Sequence, residues 1–254
     1  MVGKKIQTNH MQVTCKNCNQ TYQGNYCSHC GQPTTTHEIN FKFLWHDIQH
    51  GLFHFDKGML YTIPQLYRNP GNTIHSYIEG KRVKHIKPFT MVFLLATIFI
   101  LEKHLLNLHI DIKINLNQYD IAEWIFNHLS ISAIAIIPLL SLWSYLLFRK
   151  QGKNYIEHLV VNAYITSQSL AFYIVLMPVY KSSQYFKLDS LLNDVGVIFY
   201  LGVLVWSYIT FFTNYKKRTI VIKSLLGALL SKIVLILVFI LVAILLIKLH
   251  VIKM

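Results

Sequence analysis

The chain has 254 residues, 53% of them hydrophobic and only 14% charged, with a mean hydropathy of +0.38. Soluble domains average roughly 25% charged residues, so the composition excludes an ordinary soluble globule and points to a membrane class. The net charge of +13 does not point to nucleic acid. A nucleic-acid binder gathers its basic residues on one soluble face, whereas here Lys and Arg lie before and between long apolar runs, the pattern of membrane topology and of attraction to anionic lipid headgroups.

The first residues carry Lys4 and Lys5 but no apolar stretch of the kind a cleavable secretory signal needs. The segment before the first span is therefore expected in the cytosol, a reducing compartment that disfavours disulfides. All four cysteines lie there, as Cys15-Lys16-Asn17-Cys18 and Cys27-Ser28-His29-Cys30. Two C-x-x-C pairs have the ligand spacing of a structural zinc site, because each pair makes a tight turn that aims two thiolates at one tetrahedral ion. The residue after each second cysteine is Asn19 or Gly31, and both types tolerate a left-handed backbone. Gln23-Gly24-Asn25 supplies a turn between the pairs. The expectation is a small zinc-ribbon or knuckle module over 1–36, with Cys15, Cys18, Cys27 and Cys30 as ligands of one structural zinc. His29 is the alternative ligand, and a redox pair the alternative chemistry. A closed four-thiolate site leaves no position for substrate and serves to fold a segment too small for its own core.

Residues 37–87 read as a cytosolic juxtamembrane region. At 100° per residue, Phe41, Leu44, Trp45, Ile48, Leu52 and Phe55 share one face, opposite His46, His50 and His54. This amphipathic helix could lie in the membrane interface or pack on the protein. Its histidines, with Asp47 and Asp56 nearby, form a solvated face, with a second metal site or pH sensor as the sharper alternative. Further on, Pro64 suits the first turn of a helix begun by Thr62. Asn69-Pro70-Gly71 reads as a turn, and Asn72 or Thr73 as the cap of a short helix through Glu79, ended by Gly80. Lys81, Arg82, Lys84 and Lys87, with Arg68 upstream, are candidate contacts to anionic lipid or a cytosolic protein partner, besides acting as a positive-inside anchor.

These residues carry a resemblance. The two cysteine pairs, Asp56-Lys57-Gly58, Arg68-Asn69-Pro70-Gly71, Tyr77-Ile78-Glu79-Gly80-Lys81-Arg82 and Lys87-Pro88-Phe89 resemble a bacterial membrane family known only as a domain of unknown function, family 3667. The resemblance is specific over about residues 15–95. It implies a zinc ribbon joined to several spans in the bacterial inner membrane, and it implies no activity.

The membrane domain, 88–254, holds five apolar windows of the length a span requires. They run from Pro88 to about Leu106, Trp124 to Phe148, Leu159 to Tyr180, Val195 to Phe212 and Leu225 to Ile247. The first is short, with a re-entrant segment as its alternative, and Pro138 lies inside the second. With a cytosolic N-terminus, seventeen Lys and Arg fall inside and six outside, which places the C-terminus outside. A four-span chain gives sixteen against seven. The expected fold is thus an all-α helical membrane protein of about five spans, with an N-terminal knuckle and a juxtamembrane amphipathic helix.

The third window is the most polar. Asn162, Thr166 and Ser169 share one face, near Ser167 and Gln168, with Glu157 and His158 at its entrance. Interhelical hydrogen bonding explains such residues, and a polar path through the membrane is the alternative. Asn127 and His128 lie near the outer end of the second window. Lys232 could snorkel to the interface or pair with Glu157. No span carries a catalytic constellation. The function expected is a non-enzymatic membrane scaffold or regulatory protein that binds a cytosolic partner or anionic lipid. A small homo-oligomeric transporter or channel built on the third span, and an enzyme using the His46, His50, His54 and Asp56 face, are the competing readings.

Overall fold

In the computed structural model the described residues are 12–34, 36, 39–42, 58–108, 129–185 and 189–248. The helix expected across His46, His50 and His54, with Asp47 and Asp56, lies outside them, as do Trp124, Asn127 and His128.

The N-terminal module contains two short strands, β1 (Val13–Thr14) and β2 (Thr21–Tyr22), paired antiparallel with Val13 opposite Tyr22 and Thr14 opposite Thr21. A bridge between Tyr26 and Pro33 flanks the second cysteine pair in the same way. Seven helices are delimited among the described residues: α1 (Gly58–Arg68), α2 (Pro70–Ile78), α3 (Pro88–Leu105), α4 (Leu129–Leu147), α5 (Tyr155–Tyr185), α6 (Asp189–Phe211) and α7 (Lys217–Lys248). A 3-10 turn at Arg149–Gln151 links α4 to α5.

Among the described residues, four helical segments are long and apolar enough to cross a membrane: Pro88–Leu105, Tyr155–Gln184, Asp194–Phe211 and Lys217–Val238. Between the first two, Ile134–Leu147 of α4 is a shorter apolar stretch. The five apolar windows of the sequence thus coincide with five helices, and α4, at 19 residues, is as long as α3, at 18. The chain is a helical, integral-membrane type of protein with an N-terminal cysteine cluster.

Helix α5 is the hub. It packs against α1, α2, α3, α4 and α6, and every residue from His158 to Leu170 is buried. Enclosure by these helices keeps the polar residues of this span away from lipid, and Asn162 and His158 find their partners in protein. Helix α7 instead packs mainly along α4 and α6 among the described residues, with Leu229, Ile236, Leu237 and Leu241 more than half exposed, as in a lipid-facing helix.

The juxtamembrane helices differ from expectation in their boundaries. Helix α1 begins at Gly58, so Pro64 lies inside it and Thr62 does not start it. Proline withholds the N–H that would satisfy Leu60 C=O, and the position tolerates this because Leu60 is 78% exposed. Thr62 instead turns inward, its hydroxyl donating to Gly58 O (2.7 Å) and accepting from the Ile86 amide (3.1 Å). Helix α2 starts at Pro70, with Asn69 at the N-cap position but without a side-chain cap bond, because proline at the first helical position needs no donor and has the right φ already. Thr73 is therefore internal, its hydroxyl bonded to Asn69 O (2.7 Å) and facing Gln65 O of α1. The expected stop holds: Gly80 has φ +104°, and the Lys81 amide closes back onto Ser76 O (2.8 Å).

The helices α1 and α2 belong to the same core as the spans. Leu66, Ile74, Tyr77 and Ile86 are fully buried in one cluster with Met91, Tyr164, Leu204 and Phe212. Glycine makes the closest approaches possible. A Cβ on Gly71 would lie 2.2 Å from Thr210 O of α6, and one on Gly58 would lie 2.8 Å from the Ile86 amide.

Candidate metal centre

The four cysteine sulfurs all lie within 4.8 Å of one another. Cys15 and Cys30 Sγ are 3.5 Å apart, and Cys18 and Cys27 Sγ 3.6 Å. A tetrahedral ion with metal–sulfur bonds of about 2.3 Å requires sulfur–sulfur edges of about 3.8 Å, so the cluster could hold one metal ion with little adjustment. The four free thiols are half-buried or buried. Tyr22, Cys15 and Cys27 form the module's only small core among the described residues, which makes the sulfur cluster its organising centre.

Local geometry explains the cluster. Each knuckle is one copy of a repeated unit, CKNCNQ and CSHCGQ. The Cys15 amide donates to Gln20 O (2.9 Å) and the Cys27 amide to Gln32 O (2.8 Å). In the reverse direction Asn19 N–H donates to Cys15 O and Gly31 N–H to Cys27 O. Asn19 and Gly31 both take the left-handed backbone expected of them, at φ 59° and +75°. Gly24, at φ +114°, makes the turn between the knuckles, and Thr34 fastens it by donating to Gly24 O (2.6 Å).

The thiols do not ionise alike. At Cys18 the Gln20 amide lowers the pKa, but burial and the three neighbouring sulfurs outweigh it and push the thiol up to about 12. At Cys30 burial raises it, and bonds from the Gln32 amide, Cys15, Asn17 and Cys18 outweigh that, bringing it down to about 6. A cation among four sulfurs would remove this asymmetry by favouring all four thiolates.

The module is seated on the juxtamembrane turn. Gln32 is 3% exposed and its side-chain oxygen accepts from the Arg82 amide (3.3 Å). The Lys16 side chain lies against Gly80, where a Cβ would sit 3.0 Å from its Cδ, and its ammonium reaches Thr36 O (3.4 Å). One residue, Gln32, thus closes the second knuckle through its carbonyl and holds the basic loop through its side chain. The repeat of C-x-x-C-x-Q marks both glutamines in the sequence, and that signal went unused.

The loop after the turn presents its basic residues in fixed positions. Arg82 Nε donates to Tyr77 O (3.1 Å), with its guanidinium 5.2 Å from the Tyr77 ring. Lys84 lies 5.8 Å from the Tyr61 ring. Between them His85 meets Tyr61 and Tyr77 edge-on, and burial holds its pKa below the usual 6.5. Lys81 and Lys84 are exposed, and Lys87 caps α3. Arg68 stands apart from these four: it ends α1, roughly 15 Å along the helix from Gly58, which touches residues 84–86.

The polar residues of α5 do not converge on one site. Asn162, fully buried, donates to Ser141 Oγ (3.1 Å), Ser144 Oγ (3.2 Å) and His158 O (2.9 Å), and accepts from Tyr208 OH (2.7 Å). His158 Nδ1 lies 2.9 Å from Ser144 Oγ. This network joins α4, α5 and α6. Ser169 donates within its own helix, to Ile165 O, and Thr166 Oγ1, Ser167 Oγ and Gln168 Oε1 are buried without a hydrogen-bond partner among the described residues. Glu157 is engaged at the start of α5, accepting from the Asn154 amide (2.7 Å) and meeting Lys153 (3.4 Å). Lys232 is exposed on α7. The seryl and tyrosyl partners of Asn162 carry no spacing signal, which is why sequence reasoning missed Ser141, Ser144 and Tyr208.

Comparison with known proteins adds one finding. No curated protein and no solved structure matches the chain. Residues 56–100, from the approach to α1 into α3, match the model of the family described as Protein of unknown function (DUF3667).

Proposed function

We propose that the protein is a non-enzymatic scaffold of the cytoplasmic membrane, in which a zinc-clamped N-terminal module positions a basic juxtamembrane surface on anionic phospholipid headgroups. The observation that carries this reading is the bond from the Arg82 amide to Gln32 Oε1, which fastens the cysteine module to the loop of Lys81, Arg82, Lys84 and Lys87. Four thiol donors suit zinc, and a four-thiolate site is structural. The same end of the helix bundle carries Arg149, Lys150 and Lys153 before α5, and Lys216, Lys217, Arg218 and Lys223 around the start of α7. The contact of Lys223 with Leu147 O and of Tyr164 with Ile86 O supports placing these connections at one end. A basic end facing the cytosol follows the positive-inside rule and puts the N-terminus inside, with five crossings and the C-terminus outside. Each basic residue near an anionic surface contributes about 1 kcal/mol.

The test uses the detergent-solubilised full chain with short-chain phosphatidylglycerol or phosphatidylcholine. The reading expects a higher unfolding temperature with phosphatidylglycerol alone, reduced in Lys81→Ala/Lys84→Ala. Equal responses to both lipids would overturn it. A second reading, a path for a small polar solute, is favoured by the unpartnered oxygens of Thr166, Ser167 and Gln168. Enclosure of residues 158–170 speaks against an open path in this conformation. Cysteine-accessibility labelling from Asn162 to Ser169 tests it, and protection in every condition would sink it.

A further inference from the structure

The cysteine module and the basic loop share residues, and that sharing has a thermodynamic consequence. Gln32 closes the second knuckle through its carbonyl, bonded to the Cys27 amide, and fixes the loop through its side chain, bonded to the Arg82 amide. On the first knuckle, Lys16 lies between two cysteines and rests on Gly80. Both contacts therefore depend on the knuckles being folded. Among the described residues the module has no apolar core beyond Tyr22 and its cysteines, so its folding rests on the metal. We propose that the metal and the anionic headgroup are linked ligands: metal at the four cysteines raises the affinity of the Lys81–Lys87 loop for an anionic phospholipid, and the lipid raises metal affinity by the same factor. The inference rests on the scaffold reading above.

The mechanism is conformational. With metal present, the Gln32 and Lys16 contacts hold the turn at Gly80 and keep Lys81 and Lys84 in one arrangement. Without metal the module no longer fixes the turn, and the loop samples other arrangements of its basic residues. A ligand can shift such an equilibrium only through contacts that differ between the two states. Here the differing contacts are the Gln32–Arg82 bond and the seat of Lys16 on Gly80. Coupling between two sites is reciprocal for binding and commonly amounts to 5- to 150-fold.

The test measures short-chain phosphatidylglycerol binding to the full chain by native mass spectrometry, before and after chelation of zinc, with phosphatidylcholine as reference. Circular dichroism verifies that the helices persist. Wild type is expected to lose at least about fivefold in phosphatidylglycerol affinity on chelation. Gln32→Ala, which keeps all four cysteines, is expected to retain zinc yet bind the lipid weakly whether metal is present or not. Lys16→Ala, on the other knuckle, is expected to behave in the same direction should Gln32→Ala lose its zinc. Unchanged lipid affinity on chelation of wild type would overturn the linkage while leaving the scaffold reading intact. So would a wild-type metal response in a zinc-loaded Gln32→Ala or Lys16→Ala protein. Absence of any preference for phosphatidylglycerol in the zinc-loaded wild type would overturn the scaffold reading and the linkage with it.

Discussion

Asn162→Ala should weaken the helix bundle more than any other single polar truncation in the spans. The Asn162 amide has two hydrogens and three acceptors within reach, Ser141 Oγ, Ser144 Oγ and His158 O, while its carbonyl oxygen takes the Tyr208 hydroxyl. Truncation takes the acceptor from the buried Tyr208 OH and a donor from the two serine hydroxyls, which keep Ile137 O and His158 Nδ1 as partners. A buried group so orphaned costs about 1–3 kcal/mol, and interhelical hydrogen bonds within membrane proteins average about 0.6 kcal/mol, reaching about 1.7. Two such losses give an expected destabilisation of about 2 kcal/mol. Tyr208→Phe removes one of the same bonds and should cost about 1 kcal/mol. The double variant should be less unstable than the sum by about 1 kcal/mol, since the two residues share a bond. Reversible unfolding in mixed micelles of increasing dodecyl sulfate content, followed by circular dichroism, measures all three. An Asn162→Ala protein within about 0.5 kcal/mol of wild type, with no coupling to Tyr208, would refute the view that this network holds α4, α5 and α6 together.

Three further outcomes follow from the geometry. Gly71→Ala should destabilise by roughly 3 kcal/mol, because its Cβ would meet backbone at Thr210, whereas Gly202→Ala, with nothing within 4 Å, should be neutral or mildly stabilising. Thermal unfolding of the pair in detergent distinguishes them. Metal analysis should find one zinc per chain, lost in Cys15→Ser or Cys18→Ser, and competition titrations should show zinc affinity falling as pH falls, since protons compete with the metal for the thiolates. Burial at His85, between Tyr61 and Tyr77 and beside Lys84, lowers its pKa below 6.5. The unfolded chain then binds the proton more readily, so stability falls as pH drops through and below 6.5. His85→Phe should flatten that loss, as read from unfolding temperatures between about pH 7.5 and about pH 5.5.

Much of the architecture was legible because it rests on local rules. The apolar windows located five helices, since hydrocarbon requires long apolar helices wherever chain crosses it. The C-x-x-C spacing, with Asn19 and Gly31 in left-handed positions, located the thiol cluster, since a knuckle closes within six residues. Gly80 ended its helix as read. The boundaries of α1 and α2 were less legible. Pro64 sits mid-helix because Leu60 faces outward, and Pro70 starts a helix because its fixed φ and missing N–H suit the first helical position. The first of these is not visible without the tertiary environment. The contacts that give the site its meaning were least legible. Gln32 meets Arg82 fifty residues away, and Tyr208 meets Asn162 across two helices. Such pairs are fixed by how elements pack, and a single sequence has no periodicity that announces them.

The central claim is that the cysteine module clamps the juxtamembrane turn when it holds metal. Hydrogen–deuterium exchange of the full chain, read by mass spectrometry over residues 76–86, tests it most directly, because the Arg82 amide is the donor in the clamp and the Lys81 amide closes the turn beside it. With zinc bound these amides should exchange slowly, and chelation should speed their exchange while the amides of α5 stay protected. Equal exchange over residues 76–86 with and without zinc would contradict the account.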